Sequence, residues 1–211
     1  MDKENLIQVQ IIRKTEQAIA NWSGGTTTEL SIWPKGASYK ERRFDWRISS
    51  AGVDLDESTF TPLPGVHRYL MLLDGAIHLV HEGRRERDMV PFASAEEFEG
   101  DWMTKSTGRC TDFNLMTSSR CKGTISAVCP SCRQIALFEE EHKMSWEAFY
   151  CLAEEINLVL KNGTSCKEMR LQKGDFLLIS MSSIPQADCS LATEGIFDKV
   201  PMIRTTIFCV K

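Results

Sequence analysis

Short apolar or alternating runs, each closed by Gly, Pro, Asn or Asp, recur along almost the whole chain, and this spacing favours many strands over helices. Expected strands are Leu6–Ile12, Thr26–Trp33, Asp45–Val53, His67–Leu73, Ala76–His81, Asp112–Thr117, Thr124–Val128 and Gln134–Glu139. The second half continues with Met144–Leu152, Ile156–Leu160, Cys166–Leu171, Asp175–Ser180 and Met202–Val210. One open sheet rarely carries so many strands, so a barrel or sandwich follows. Lys161-Asn162-Gly163 and Lys173-Gly174-Asp175 lie between such runs, where Asn and Gly accept positive φ and close hairpins. Helical patterning survives locally, at Arg13–Asn21, Ala95–Phe98 and Met144–Glu154, the last of which also fits a strand pair.

With 211 residues, 42% of them hydrophobic and 26% charged, the chain can bury a core without disulfides and is ordinary for a globular protein. A formal charge of -4, with Lys and Arg scattered apart from short runs at Lys40–Arg43 and Arg84–Arg87, argues against a nucleic-acid partner. Charges interrupt the apolar residues near the N-terminus, and no later stretch reaches membrane-spanning length, so neither export nor a membrane partner is expected and the location expected is cytoplasmic. The eight cysteines are then thiols of a reducing compartment. No repeat or low-complexity linker is visible; the turn-rich stretch Cys121–Ser131 suggests two halves, 1–121 and 122–211, packed as one compact unit.

Three segments carry most of the polar chemistry. Trp22-Ser23-Gly24-Gly25-Thr26-Thr27-Thr28-Glu29-Leu30 invites comparison with a phosphate loop, but it lacks the Lys that follows the last glycine and leads into a β-branched strand. Period-two geometry would place Thr27, Glu29 and Ser31 on one face of that strand. In Phe44–Val53, Phe44, Trp46 and Ile48 share one face and Arg47, Ser49 and Ala51 the other. A guanidinium among small residues must be paired, with a ligand carboxylate or structurally with Glu29 or Asp112. In Pro64–Gly75, His67 and Arg68 stand at the mouth of a strand apolar on both faces; His67 is a candidate contact or simply a hydrogen-bonded surface residue. Asp112, Asn114 and Met116 share a face opposite Phe113 and Leu115.

Taken in order, WSGGTTTEL, FDWRISSAGV, LPGVHRYLMLLDG, FEGDW and CTDFNLM resemble the landmarks of the HutD/Ves family, over residues 22 to 116. The resemblance implies an all-β, cupin-like barrel or sandwich, two-lobed (a bicupin) with a few short helices, and a link to histidine utilisation. Matching positions are Thr26, Thr27, Glu29, Trp46, Arg47, Ser49, Gly65, Arg68, Gly75, Asp112 and Asn114. The family pattern has Asp where this chain has His67, which changes the hydrogen bonding available there. Beyond Thr117 the resemblance rests on the β-rich pattern and the Leu171–Asp175 turn.

A cupin metal site needs several His and a Glu converging on one ion. His78 and His81 are three apart and point to opposite faces of a regular strand, so neither a metal nor another cofactor is expected. Cys129-Pro130-Ser131-Cys132 is a CxxC without a second pair, read as structural or incidental thiols. No nucleophile elbow is present. The expectation is a module that binds a small carboxylate through Thr26, Thr27, Glu29, Arg47, Ser49, His67, Arg68, Asp112 and Asn114. The alternatives are a metal-independent isomerase or hydrolase, with Glu29 or Asp112 as base, and a purely structural protein with a closed cavity. An exposed edge strand would make a homodimer the expected assembly.

Overall fold

A computed structural model describes residues 7–139, 142–182, 189–195 and 197–210. It is built from strands, with 3-10 turns at Lys14–Glu16 and Tyr39–Glu41. The chain divides into two compact units, Gln17–Ile125 and Met1–Glu16 together with Ser126–Lys211. The strands begin with β1 (Ile7–Ile12), β2 (Ala18–Trp22), β3 (Gly25–Trp33), β4 (Trp46–Val53), β5 (Glu57–Thr59) and β6 (Val66–Gly75). They continue with β7 (Ile77–His81), β8 (Arg85–Met89), β9 (Glu96–Glu99), β10 (Thr104–Thr107), β11 (Cys110–Ser118) and β12 (Cys121–Ala127). The rest are β13 (Gln134–Ala136), β14 (Met144–Cys151), β15 (Glu155–Asn162), β16 (Ser165–Gln172), β17 (Phe176–Ser182), β18 (Cys189–Glu194) and β19 (Met202–Cys209).

All three segments with helical patterning turn to strand. Arg13–Asn21 holds one 3-10 turn and then β2, Ala95–Phe98 gives β9, and Met144–Glu154 gives β14. In β14 the decisive factor is pairing on both edges, with β17 and β19, while Trp146, Ala148, Phe149 and Cys151 are buried on alternate faces. The expected start of the first strand at Leu6 lies outside the described residues.

In the Gln17–Ile125 unit, a six-stranded antiparallel sheet of order β2-β3-β4-β11-β6-β9 accompanies a four-stranded sheet of order β5-β10-β7-β8. β4, β11 and β6 are central and buried on both faces. Trp46, Ile48, Phe113, Leu115 and Met71 are almost fully buried on one side, and Arg47, Ser49, Asn114 and Arg68 on the other. One apolar cluster joins Leu70, Leu72, Ile77, Leu79, Met89 and Phe98, and a second joins Phe44, Leu63, Val66 and Met116.

The other unit contains strands in the order β1-β17-β14-β19 and a sheet of order β13-β18-β15-β16. β1 pairs with β17 from Ile7↔Met181 to Ile12↔Phe176, which puts the first strand with the C-terminal segment and not with residues 17–121. Asp175 secures that return. Its carboxylate accepts hydrogen bonds from Arg13 Nη1 at 2.6 Å, the Lys14 amide at 3.0 Å and the Gln172 amide at 3.0 Å. The interior is filled by Phe149, Leu158, Leu171, Leu177, Ile179, Leu191 and Met202 among others.

Two irregularities set the inner face of the six-stranded sheet. Between β3 and β4 the register runs Thr27↔Ala51 and Glu29↔Ser49, then shifts so that Ser31 faces Ile48. This bulge corrects the expectation that Thr27, Glu29 and Ser31 share a face: Ser31 lies with Ile48, on the side opposite Glu29 and Ser49. At the far end of β6, Gly75 has φ 78°, and a Cβ there would stand 2.3 Å from the Arg109 carbonyl oxygen. Gly75→Ala should therefore destabilise the protein by more than the roughly 1–2 kcal/mol of a left-handed backbone alone. Equilibrium urea unfolding would check this, and an unchanged midpoint would contradict the packing described.

Candidate functional site

The site is a ladder across β4, β11 and β6. Arg47, Met116 and Arg68 stand side by side, the next rung is Ser49, Asn114 and Leu70, and the third is Ala51, Asp112 and Leu72. Because opposed residues of an antiparallel pair share a face, these three rungs present their side chains to the same side. All of these residues except Leu72 line a cavity of about 610 Å³. Ser58, Phe60, Ile77 and Ser106 contribute from the four-stranded side, Tyr39 from the 3-10 turn, and Trp22 and Leu55 from exposed segments.

Arg47 is largely satisfied by protein. Its Nε donates to Glu29 Oε2 at 2.7 Å, its Nη1 donates to Ser49 Oγ at 3.0 Å, and its guanidinium carbon lies 4.4 Å from the Tyr39 ring centroid. Of the two structural partners considered for Arg47, Glu29 is the one used. Arg68 differs. Only 6% exposed, it lies over the Phe60 and Phe98 rings at 4.8 and 5.3 Å, and its Nε has no hydrogen-bond partner among the described residues. Oδ1 of Asp112 and Oδ1 of Asn114 are buried and unpartnered in the same sense.

Burial shapes the charges here. It lowers the Arg68 guanidinium to about 10, with Tyr39 and Asp112 opposing that shift and Arg47 adding to it. Burial likewise pushes the Asp112 carboxyl up to about 7, although Arg68, the Ala51 amide and Arg47 each favour its charged form. The neighbouring Cys110 thiol is pushed up to about 12, first by burial and then by Asp112. One buried carboxyl, one amide and two guanidinium groups do not make a donor set for a divalent cation, because the fixed positive charges oppose it. Among the described residues no group of three or more His, Cys, Asp or Glu could hold a metal ion.

Thr27, Arg47, Ser49, Arg68, Asp112 and Asn114 all line the cavity, and Glu29 reaches it through Arg47. Two expected contacts are not brought there. Thr26 is exposed and absent from the lining. His67 precedes Arg68 on β6 and so points to the other face, where its Nδ1 is 3.0 Å from Glu99 Oε1 and its ring packs on Tyr69. Tyr39, Ser58, Phe60 and Ser106 went unnoticed in the sequence. Tyr39 sits in a turn, Ser58 and Ser106 on short polar strands and Phe60 just past the end of one, where composition carries no alternation signal.

Other polar clusters are largely paired within the protein, although buried His81 Nε2 stands 3.3 Å from Glu96 without a well-formed hydrogen bond. His78 and His81 do face opposite ways: His78 contacts Asp88 and Glu86, whereas buried His81 contacts Thr104 at 2.9 Å and Glu96 at 3.3 Å. Glu96 is also bound by Arg85 and Arg87. In the second unit, buried Glu147 accepts from Arg204 Nη2 at 2.7 Å, Arg204 Nε at 2.9 Å, Thr206 Oγ1 at 3.0 Å and the Phe138 amide at 3.3 Å. Cys129 and Cys132 are free thiols; Cys129 Sγ lies 3.1 Å from Ser131 Oγ, a contact that lowers its pKa. No described helix is long and apolar enough to cross a membrane.

The raised Asp112 pKa fixes the sign of a pH effect. The folded carboxyl holds its proton up to about 7, while the ordinary value is 3.8, so the folded state binds the extra proton between them. Its contribution to stability is most favourable at low pH and falls as pH rises through that window. Denaturation midpoints of wild type and Asp112→Asn, compared from about pH 4 to about pH 8, should show wild type losing stability relative to the variant. Parallel curves would mean that the carboxyl titrates normally.

The comparisons agree with this architecture. The structure of HutD from Pseudomonas fluorescens SBW25 is 18% identical, has a TM-score of 0.71, and the match covers 97% of this chain and 100% of that one. A conserved protein of unknown function from Pseudomonas aeruginosa PAO1 gives 18% identity, a TM-score of 0.73 and the same coverage. Lactobacillus farciminis oxalate decarboxylase, solved as a formate complex, is 10% identical with a TM-score of 0.58, over 94% of this chain and 85% of that one. At such identities the likeness is one of fold, and it is a cupin-type fold. No curated protein matches the chain by sequence. The HutD family model matches residues 14–197, and the chain belongs to the HutD family.

Proposed function

We propose that the Gln17–Ile125 unit binds a small carboxylate-bearing metabolite in its cavity, with Arg68 and Arg47 meeting the carboxylate and Asn114 and the hydroxyls of Thr27 and Ser49 orienting it. The observation that carries this reading is Arg68. A guanidinium withdrawn from water is costly unless an anion meets it, and no carboxylate lies within hydrogen-bonding distance of this one among the described residues. Arg204 in the other unit shows the closed alternative, a guanidinium held by Glu147 through two hydrogen bonds. The formate complex of the Lactobacillus farciminis oxalate decarboxylase, which shares the fold, accords with a carboxylate guest. Membership of the HutD family supports a role in histidine utilisation or its regulation.

Asp112 favours a second reading, a metal-independent isomerase or hydrolase acting on such a metabolite. A carboxyl raised to about 7 can take up and return a proton near neutrality. Product formation detected by mass spectrometry, and lost in Asp112→Asn, would decide for chemistry.

Calorimetric titration with urocanate, formiminoglutamate, formylglutamate and glutamate tests the binding reading. At least one should bind, and Arg68→Met should weaken it by about tenfold to a hundredfold, the size of a lost charge-assisted hydrogen bond. Silence from all four with folded protein would overturn the proposal. Unchanged binding by Arg47→Ala would remove only the Arg47 contact.

A further inference from the structure

We infer that the guest is a zwitterion, carrying a protonated nitrogen as well as its carboxylate, and that Asp112 and Asn114 receive the nitrogen while Arg68 receives the carboxylate. This rests on the carboxylate reading above and goes beyond it by specifying the other end of the molecule.

The argument begins with pairing inside the cavity. The charge of Arg47 is met by Glu29 at 2.7 Å, which leaves Arg68 and Asp112 as the two deeply buried charged groups of the cavity without an oppositely charged partner in hydrogen-bonding range among the described residues. They are of opposite sign, 6% and 7% exposed, and both line the same cavity. Each therefore calls for a counter-charge from the guest. A guest with only a carboxylate answers one of them and adds an anion to the space that already holds Asp112.

Hydrogen bonding points the same way. Asn114 stands between the Met116 and Asp112 rungs, and its Oδ1, like Oδ1 of Asp112, is a buried acceptor without a donor. A carboxylate supplies acceptors only, so both would stay orphaned, whereas an ammonium supplies three N–H donors to two adjacent acceptors. The spacing suits a short molecule. Asp112 lies four residues from Met116 along β11, about 13 Å at the backbone, and Arg47 leans back toward it through the Ser49 hydrogen bond. The walls between are partly apolar, with Leu70, Ile77 and Phe60.

The groups facing Asp112 make its protonation a readout. Arg68 on β6, Arg47 on β4 and the Ala51 amide favour the ionised form; the Cys110 thiol of β11, pushed up to about 12, stays neutral. Tyr39 and exposed Glu57 also line the cavity, while Ser58 and Ser106 from the facing strands carry no charge. With the Asp112 carboxyl raised to about 7 by its protein surroundings, a cationic group beside it expels a proton at neutral pH, and an added anion draws one in.

Three compounds of one carbon-chain length isolate the variable: δ-aminovalerate, valerate and glutarate, ending in ammonium, methyl and carboxylate. Titrated into the full chain at neutral pH in buffers of different ionisation enthalpy, δ-aminovalerate should bind about tenfold or more tighter than valerate, with glutarate weakest. Its binding should release protons, whereas valerate takes them up. Asp112→Asn should bring the amine and methyl compounds to within about twofold of each other and abolish the proton release. Valerate or glutarate binding as tightly as the amino compound, or proton uptake with all three, overturns the zwitterion and leaves the carboxylate reading standing. Failure of all three to bind, in protein that also ignores the four metabolites, overturns both.

Discussion

Burying the Arg68 guanidinium is the constraint around which the Gln17–Ile125 unit is arranged. Desolvating a charge of that size costs several kcal/mol after relaxation, enough to lower the Arg68 pKa despite nearby anions. The protein offsets this with two aromatic faces, Phe60 and Phe98, and with the more distant field of Asp112. These compensate without occupying the hydrogen-bonding edge: Nε remains unpartnered among the described residues. A structural arginine is ordinarily closed off more completely than this. The arrangement holds the charge in place while keeping its directional bonding capacity for something else.

Within this chain, Arg204 shows what complete closure looks like. Glu147 is 1% exposed and accepts four hydrogen bonds, two of them from Arg204, and the surrounding interior is packed with aliphatic and aromatic side chains. An ion pair satisfied in this way specifies a unique packing and offers nothing to a guest. The Gln17–Ile125 unit carries the same residue types on central strands. Its cavity, however, is lined by buried polar atoms without a partner among the described residues, Arg68 Nε, Asp112 Oδ1 and Asn114 Oδ1. The difference between a core and a site lies in the pairing of the polar groups, and composition does not set it.

Geometry along the strands then distributes the chemistry. On β11, period two puts Met116, Asn114 and Asp112 in line, so the environment changes over a few residues from guanidinium to amide to carboxyl. The bulge at Leu30 keeps Glu29 level with Ser49, where its carboxylate reaches Arg47, and sends Ser31 to the opposite face. Without that extra residue the β3 segment beyond it would stay in phase with Glu29 and bring Ser31 to the cavity side. Neutralising one arginine internally is what leaves the other as the exceptional one.

Much of this was legible in the residues themselves. Strict alternation separated Arg47, Ser49 and Ala51 from Trp46 and Ile48, and Asp112 and Asn114 from Phe113 and Leu115, because a pleated backbone allows two directions only. The order of the landmark segments likewise indicated an all-β cupin-type fold. Nothing in a one-dimensional pattern could say that β1 would join β17, that Glu29 and not Asp112 would take Arg47, or that Tyr39 and Phe60 would face the guanidiniums. His67 illustrates the limit: one position from Arg68 in the chain, it points away from the cavity and pairs with Glu99. The sequence by itself determined which residue types would share a strand face, since that follows from local backbone geometry. Only the tertiary structure decided which of those groups would find partners, because pairing and desolvation depend on distances between strands far apart in the chain.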